Sequence, residues 1–182
     1  MGAVFDHSRM KGGGNVFDCG HAGKRTVTVT LVPSGYTGLT NLSTNSSYPI
    51  ENGYTDASST TYARLKLPST TAQTGYLYYT FDCSTIPSRA KIQSISCDVK
   101  IRVNNTSYAN RTACQLYTKA TAKGSSSSFD NTSSSNIITL SSGDWTRSEL
   151  DNLRLYIAAA KDGDGTGYIY FYGATVTITY TA

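Results

Sequence analysis

Apolar and polar residues alternate with a period of two along most of this chain. The clearest run is Lys91 to Val103: Ile95, Cys97, Val99, Ile101 and Val103 share one parity, and Ser94, Ser96, Asp98, Lys100 and Arg102 share the other. Successive side chains on a strand point to opposite faces, so this run predicts a half-buried antiparallel strand with its apolar row in a core. Val27, Val29 and Leu31 alternate in the same way with Thr26, Thr28 and Thr30, and Pro33-Ser34-Gly35 is expected to stop that strand. Further strands are predicted at 62–67, ended by Pro68, and at 76–81, where Leu77, Tyr79 and Phe81 alternate with Tyr76, Tyr78 and Thr80. Others are expected at 112–119, 136–140 and 153–157. The last and longest runs from Tyr168 to Thr181, with a kink expected at Gly173. Tyr168, Tyr170 and Tyr172 share a face in its first half; Ala174, Val176, Ile178 and Tyr180 share one in its second.

Turn chemistry separates these runs. A polar stretch from about 38 to 61 has only brief apolar touches at Leu42, Tyr48 and Ile50, and the Ser-rich tract 125–135 is expected to be an exposed loop. Asp162-Gly163-Asp164-Gly165 reads as a hairpin turn. Thr146-Arg147-Ser148-Glu149 fits a capping box opening a helix of about two turns. About eight strands with long crossing loops predict an all-β fold over 26–182, a jelly-roll-like antiparallel sandwich with one short helix.

Residues 1–25 read differently, as an extended Gly-rich arm. Gly12-Gly13-Gly14 has nothing to bury, the basic residues lack a period, and only Val4, Phe5, Val16 and Phe17 look like anchors. Ordering backbone costs roughly 1–2 kcal/mol per residue. The arm is therefore expected to dock on a neighbouring subunit through those four residues, with Lys24 and Arg25 at its end.

Composition narrows the class. The chain has 182 residues, of which 15% are charged, against about 25% in ordinary domains. Aromatics make up 11%, with 14 tyrosines, which argues against disorder of the whole chain. No apolar run approaches the roughly 18 residues of a membrane-spanning helix, so no membrane partner is expected. Sixteen Lys and Arg against twelve Asp and Glu leave a net charge of +4 without a dense stripe, and nucleic acid is not the expected partner. The first residues show no basic and apolar leader, so synthesis in a cytoplasm is expected, with Cys19, Cys83, Cys97 and Cys114 as reduced thiols.

No catalytic pattern stands out. His7 and His21 are the only histidines, no Gly-x-Ser-x-Gly elbow or paired carboxylates occur, and an enzyme is not expected. Cys19 with His21 lacks a second ligand pair at zinc spacing. Asp162 and Asp164 lack the Glu that would close a calcium loop, where Gly173 stands instead. No metal or cofactor is expected. The tyrosines are more suggestive: Tyr76 and Tyr78 on one strand, and Tyr168, Tyr170 and Tyr172 on another, exceed what one small core can use. Three readings stay open: a subunit interface, a glycan surface, or packing across strands.

The run Tyr79-Thr80-Phe81-Asp82-Cys83-Ser84-Thr85-Ile86-Pro87-Ser88-Arg89-Ala90-Lys91-Ile92-Gln93-Ser94-Ile95 resembles the "FDLSSIPSGATITSA" junction of jelly-roll domains in bacterial surface proteins and tailed-phage structural proteins. Cys83 stands where an apolar residue is usual. Trp145 to Leu150 and the terminal Tyr172-Gly173-Ala174-Thr175-Val176-Thr177-Ile178-Thr179-Tyr180 are similar to phage virion proteins as well, so the likeness spans about residues 62–182. It implies that Phe81 enters the core, that Ile86-Pro87 turns the chain and that Ile92 and Ile95 begin the next strand. It also implies a virion structural protein, in head decoration, neck or tail, whose partners are other capsid, neck or tail subunits and further copies of itself. A carbohydrate-binding module for host attachment, using the exposed tyrosines, is the alternative.

Overall fold

The alternation at 91–103 becomes a thirteen-residue strand whose inward row, from Ile95 to Val103, is almost wholly buried. The computed structural model describes residues 24–71, 73–130, 132–134 and 136–182. Among these residues ten strands form: β1 (Thr26–Leu31), β2 (Pro33–Thr40), β3 (Ala63–Lys66), β4 (Thr74–Phe81), β5 (Lys91–Val103), β6 (Ala109–Thr118), β7 (Thr121–Ser127), β8 (Ile137–Ser142), β9 (Leu153–Lys161) and β10 (Tyr168–Thr181). A 3-10 turn at Ile50–Gly53 and a single helical turn, α1 (Arg147–Leu150), complete the elements.

The strands make two antiparallel five-stranded sheets. One runs β1–β10–β5–β8, with β3 beside β1 on the same flank of β10; the other runs β2–β4–β9–β6–β7. Within them lie the sequences β3–β10–β5–β8 and β4–β9–β6–β7, the strand order of an eight-stranded jelly roll. β1 and β2 add one edge strand to each sheet. The expectation of about eight strands thus becomes ten.

The two additions that sequence reading did not find are β2 and β7. Pro33 does not end strand structure. It opens β2, opposite Phe81, at a first position where a missing N–H costs no ladder bond. The tract from Thr121 pairs with β6 through Cys114↔Ser127 and Leu116↔Lys123, so the Ser-rich region is strand as far as Ser127. A polar edge strand needs its backbone ladder rather than an apolar row. α1 makes one turn, not two, because Leu153 is buried two residues after Asp151 and returns the chain to a strand. Its capping box forms: the Thr146 amide donates to Glu149 Oε2 at 2.7 Å, and the Glu149 amide donates to Thr146 Oγ1 at 3.4 Å. The Lys123 ammonium, 2.6 Å away, with the Thr146 amide and hydroxyl holds the Glu149 carboxyl below its ordinary pKa.

The core joins the sheets through one aromatic contact. Tyr79 on β4 and Phe171 on β10 stack with centroids 4.2 Å apart and planes 23° apart, and both are buried. In the run 79–95, Phe81, Ile86 and Ile95 are buried and Ile92 is half-buried. Arg147 clamps the turn between them, donating to Ile86 O at 2.9 Å and Cys83 O at 3.4 Å. Cys83, Cys97 and Cys114 are free and buried; burial pushes the Cys83 thiol to about 11 and Cys114 to about 12, so neither is a thiolate at neutral pH. No helix among the described residues is long and apolar enough to cross a membrane.

Val4, Phe5, Val16 and Phe17 lie outside the described residues. Lys24 and Arg25 are exposed at the start of β1, and the Ala182 amide donates to Arg25 O at 3.1 Å, which ties this start to the last residue.

The kink at Gly173 is a bulge. Phe171 pairs with Ile101 and Gly173 with Lys100, so one extra residue enters β10. Gly173 has φ +147°, and an added Cβ would lie 2.4 Å from Asp56 O and 2.5 Å from Thr55 O. Gly173→Ala is expected to destabilise the protein by more than about 1 kcal/mol, seen as a lowered midpoint in denaturant unfolding. An unchanged midpoint would show that the bulge is not specified by glycine.

Candidate functional site

Strand periodicity sends Tyr76 and Tyr78 of β4 outward, and sheet register decides what they meet. Tyr78 pairs with Tyr156 on β9, which pairs with Gln115 on β6; in the next row Thr80 pairs with Arg154, and Arg154 with Tyr117. Four rings therefore form one diamond on the outer face of the second sheet. Tyr78 and Tyr156 lie 5.2 Å apart on its short diagonal. Tyr117 is 5.6 Å from Tyr78 and 5.4 Å from Tyr156, and Tyr76 is 6.0 Å and 5.8 Å from the same two. All four are half-buried. Arg154 lies over Tyr78 at 6.0 Å. Gln115, beside Tyr156 in the register, donates its amide to Gly124 O at 2.7 Å.

Tyr117 and Tyr156 were not singled out in the sequence. Each stands alone on its strand, so only the register that sets β9 between β4 and β6 reveals the cluster. Their outward parity, between Leu116 and Thr118 and between Leu155 and Ile157, was the one available signal.

Tyr168, Tyr170 and Tyr172 stand on the opposite side of the sandwich, on the outer face of the first sheet. The two sets chosen from sequence therefore make two surfaces rather than one. Tyr62 bridges this second group, 5.2 Å from both Tyr170 and Tyr172, and stacks on Tyr48 at 4.8 Å with planes 8° apart. Tyr172 is only 5% exposed. Its hydroxyl accepts from Arg102 Nε at 3.0 Å, which makes it a support for this surface rather than a contact on it.

Electrostatics follow from the crowding. Burial, then the neighbouring Tyr117, pushes the Tyr78 hydroxyl up; burial, then Tyr78, does the same at Tyr156. A hydrogen bond with Tyr48 is the main cause that raises Tyr62, and burial holds Tyr79 well above its ordinary value. These phenols stay neutral near pH 7 and can both donate and accept.

Little else resembles a reaction centre. Both histidines lie outside the described residues, and so do Cys19 and His21 as a pair. No group of three or more His, Cys, Asp or Glu side chains that could hold a metal occurs among the described residues. At Asp162–Gly165 the cation is internal: the buried Lys161 ammonium donates to the carbonyl oxygens of Asp162 and Gly163. A recess of about 470 Å³ near β2, with Tyr36 and Asn45 in its wall, carries one carboxylate, Glu51, and no second acid or base.

No family model matches the chain, and no curated protein does. Among solved structures the chain is similar to one described as a xylan-binding module CBM15, with a TM-score of 0.36 and 12% identity over 86% of this chain and 97% of that one. A likeness of that size carries no inference about ligand.

The raised phenols have a measurable consequence. A folded-state pKa above the ordinary 10.0 at Tyr54, Tyr62, Tyr78, Tyr79 and Tyr156 means that the native state holds these protons more tightly than the unfolded chain. The stability linked to them is fully present below pH 10 and is lost as pH rises through the folded values. Urea midpoints are expected to be level from pH 8 to 9.5 and to fall above 10, with a shallower fall in Tyr78→Phe. A midpoint that stayed level past pH 11 would contradict the burial of these rings.

Proposed function

We propose that this protein is a non-enzymatic binding module that holds a neutral glycan on the outer face of β4, β9 and β6. The observation that supports this is the diamond of Tyr76, Tyr78, Tyr117 and Tyr156, with Arg154 and Gln115 at its rim. A pyranose ring has an apolar C–H face and a hydroxyl edge. Tyrosine matches both, since its ring is apolar and its neutral hydroxyl donates and accepts. The rings are fixed by mutual packing on a rigid sheet, so little side-chain entropy is lost when a ligand arrives. Buried thiols with raised pKa values, and a recess with a single carboxylate, fit a binding role better than catalysis.

The ligand class can be tested by affinity electrophoresis through gels containing soluble glucan, xylan, mannan or arabinogalactan. At least one is expected to retard the wild-type protein, and Tyr78→Ala and Tyr156→Ala are each expected to weaken that retention at least tenfold, about 1.4 kcal/mol, while remaining folded by circular dichroism. Retention equal in both variants, or none in any gel, would exclude this face as a glycan site.

The setting proposed for the module is the virion. The resemblance of residues 79–95 to the phage junction is what supports this reading; Phe81, Ile86 and Ile95 in it are buried, and Arg147 holds the turn at Cys83 and Ile86. Copies repeated around a symmetry axis would turn weak glycan contacts into avid attachment. Removal of residues 1–25 is expected to abolish incorporation into particles while the sandwich still folds. Normal incorporation of the truncated protein would remove the docking role of the arm.

A further inference from the structure

The geometry points to a second binding face, on the outer side of the first sheet, that takes an anionic polysaccharide. It lies on the sheet opposite the Tyr78–Tyr156 cluster and stands or falls independently of it.

The face is organised around one cross-strand row. Arg64 of β3, Tyr170 of β10 and Arg102 of β5 pair side by side. Strands lie about 4.8 Å apart, so the two arginine backbones are separated by about 10 Å with the tyrosine between them. The Arg102 guanidinium lies 3.9 Å over the Tyr170 ring. The Arg64 guanidinium lies 4.7 Å from the Tyr48 centroid and 5.3 Å from that of Tyr168. Lys66 opposes Tyr168 in the adjacent row, and Lys100 sits 5.3 Å over Tyr172 while donating to Ser59 O at 2.8 Å. Sequence parity puts Lys100 and Arg102 on one face, with Arg64 and Lys66 expected near them; β3 pairing with β10 brings all four to one surface.

Among the described residues no ion pair neutralises these cations in place. The ion pairs among the described residues are Lys123–Glu149 and Arg147–Asp151, both elsewhere. The acids nearby sit at the margins: Asp56 near Lys100, Asp98 bonded to Thr139, and Asp164 in the small recess beside Lys66. None is placed against Arg64 or Arg102. Arg64 Nε is buried without a hydrogen-bond partner, so ring faces rather than acceptors hold this side chain. Arg102 gives Nε to the Tyr172 hydroxyl and Nη1 to Val103 O at 3.4 Å, which leaves Nη2, and the Nη groups of Arg64 have no hydrogen bond among the described residues. These N–H groups can meet the oxygens of a carboxylate or phosphate.

The stacking also selects the polymer. Single-stranded nucleic acid needs open aromatic faces on which bases stack. Here Tyr48 carries Tyr62 on its ring and Arg64 beside it, and Tyr170 is covered by Arg102 with Tyr62 against it at 73°. With the ring faces covered, what is left for a ligand is guanidinium Nη groups and phenol hydroxyls. These suit a chain of hydroxylated units that bear carboxylate or phosphate and no bases.

Isothermal titration with polygalacturonate and with a poly(glycerol phosphate) chain separates the two anion sources; dextran and an oligo(dT) strand serve as controls. At least one anionic polymer is expected to bind, more weakly as salt rises, and R64Q/R102Q is expected to lose at least tenfold in affinity. R64K/R102K keeps the charge without the planar fork and is expected to fall between the two, which covers a failure of the glutamine variant to fold. Tyr78→Ala should bind the anionic polymer like wild type. Binding undiminished in both double variants, no binding to either anionic polymer, or oligo(dT) bound as tightly as they are, would overturn the proposal.

Discussion

β10 is the strand on which both surfaces and the core depend, because it pairs with β1, β3 and β5 and must bury an apolar row along its whole length. A strict period of two would send Tyr168, Tyr170 and Tyr172 to the same side as Ala174, Val176 and Ile178, into a core without room for them. The inserted residue at Gly173 reverses the parity. Ile169 and Phe171 point inward before it, Ala174 onward point inward after it, and the three tyrosines turn to the outside. Only glycine accepts φ +147° with the Thr55 and Asp56 carbonyls against its Cα. The same approach lets the Ala174 amide bond to Thr55 O at 3.0 Å. The 55–62 loop is thereby pinned above the sheet, with Tyr62 over Tyr172.

The bulge also sets the inner contact between the sheets. Phe171, the last inward residue before it, meets Tyr79 of the opposing sheet, and Gly53 leaves the space that both rings need: a Cβ there would lie 2.5 Å from the Phe171 ring. One local irregularity thus couples a core stack, a pinned loop and an outward aromatic row. This is the common pattern in which a bulge re-aims side chains at a functional surface.

The two outer faces differ in character for a reason of composition. β4, β6 and β9 alternate a buried inward row, Tyr79 and Phe81 among it, with outward tyrosines and few charges, so the second sheet presents neutral phenols. β3 and β5 alternate inward aliphatics with outward Arg and Lys, so the first sheet presents tyrosines already stacked by cations. A small, weakly charged domain can in this way carry two chemically distinct surfaces, about one sandwich thickness apart, without disturbing its core.

Residues alone determined much of this protein. Apolar and polar patterning marked β1, β3, β4, β5, β6, β8, β9 and β10. The capping box marked α1, and Gly173 marked the kink, because each is written in neighbouring positions. They could not reveal β2 and β7, whose polar edges carry no apolar row, nor the register that gathers Tyr76, Tyr78, Tyr117 and Tyr156 from three strands far apart in sequence. They also could not separate Tyr78 from Tyr168 as members of opposite faces, or show that Arg64 and Arg102 flank Tyr170. Alternation is a local property of the chain, whereas which strand lies beside which is decided only when two sheets close over one core.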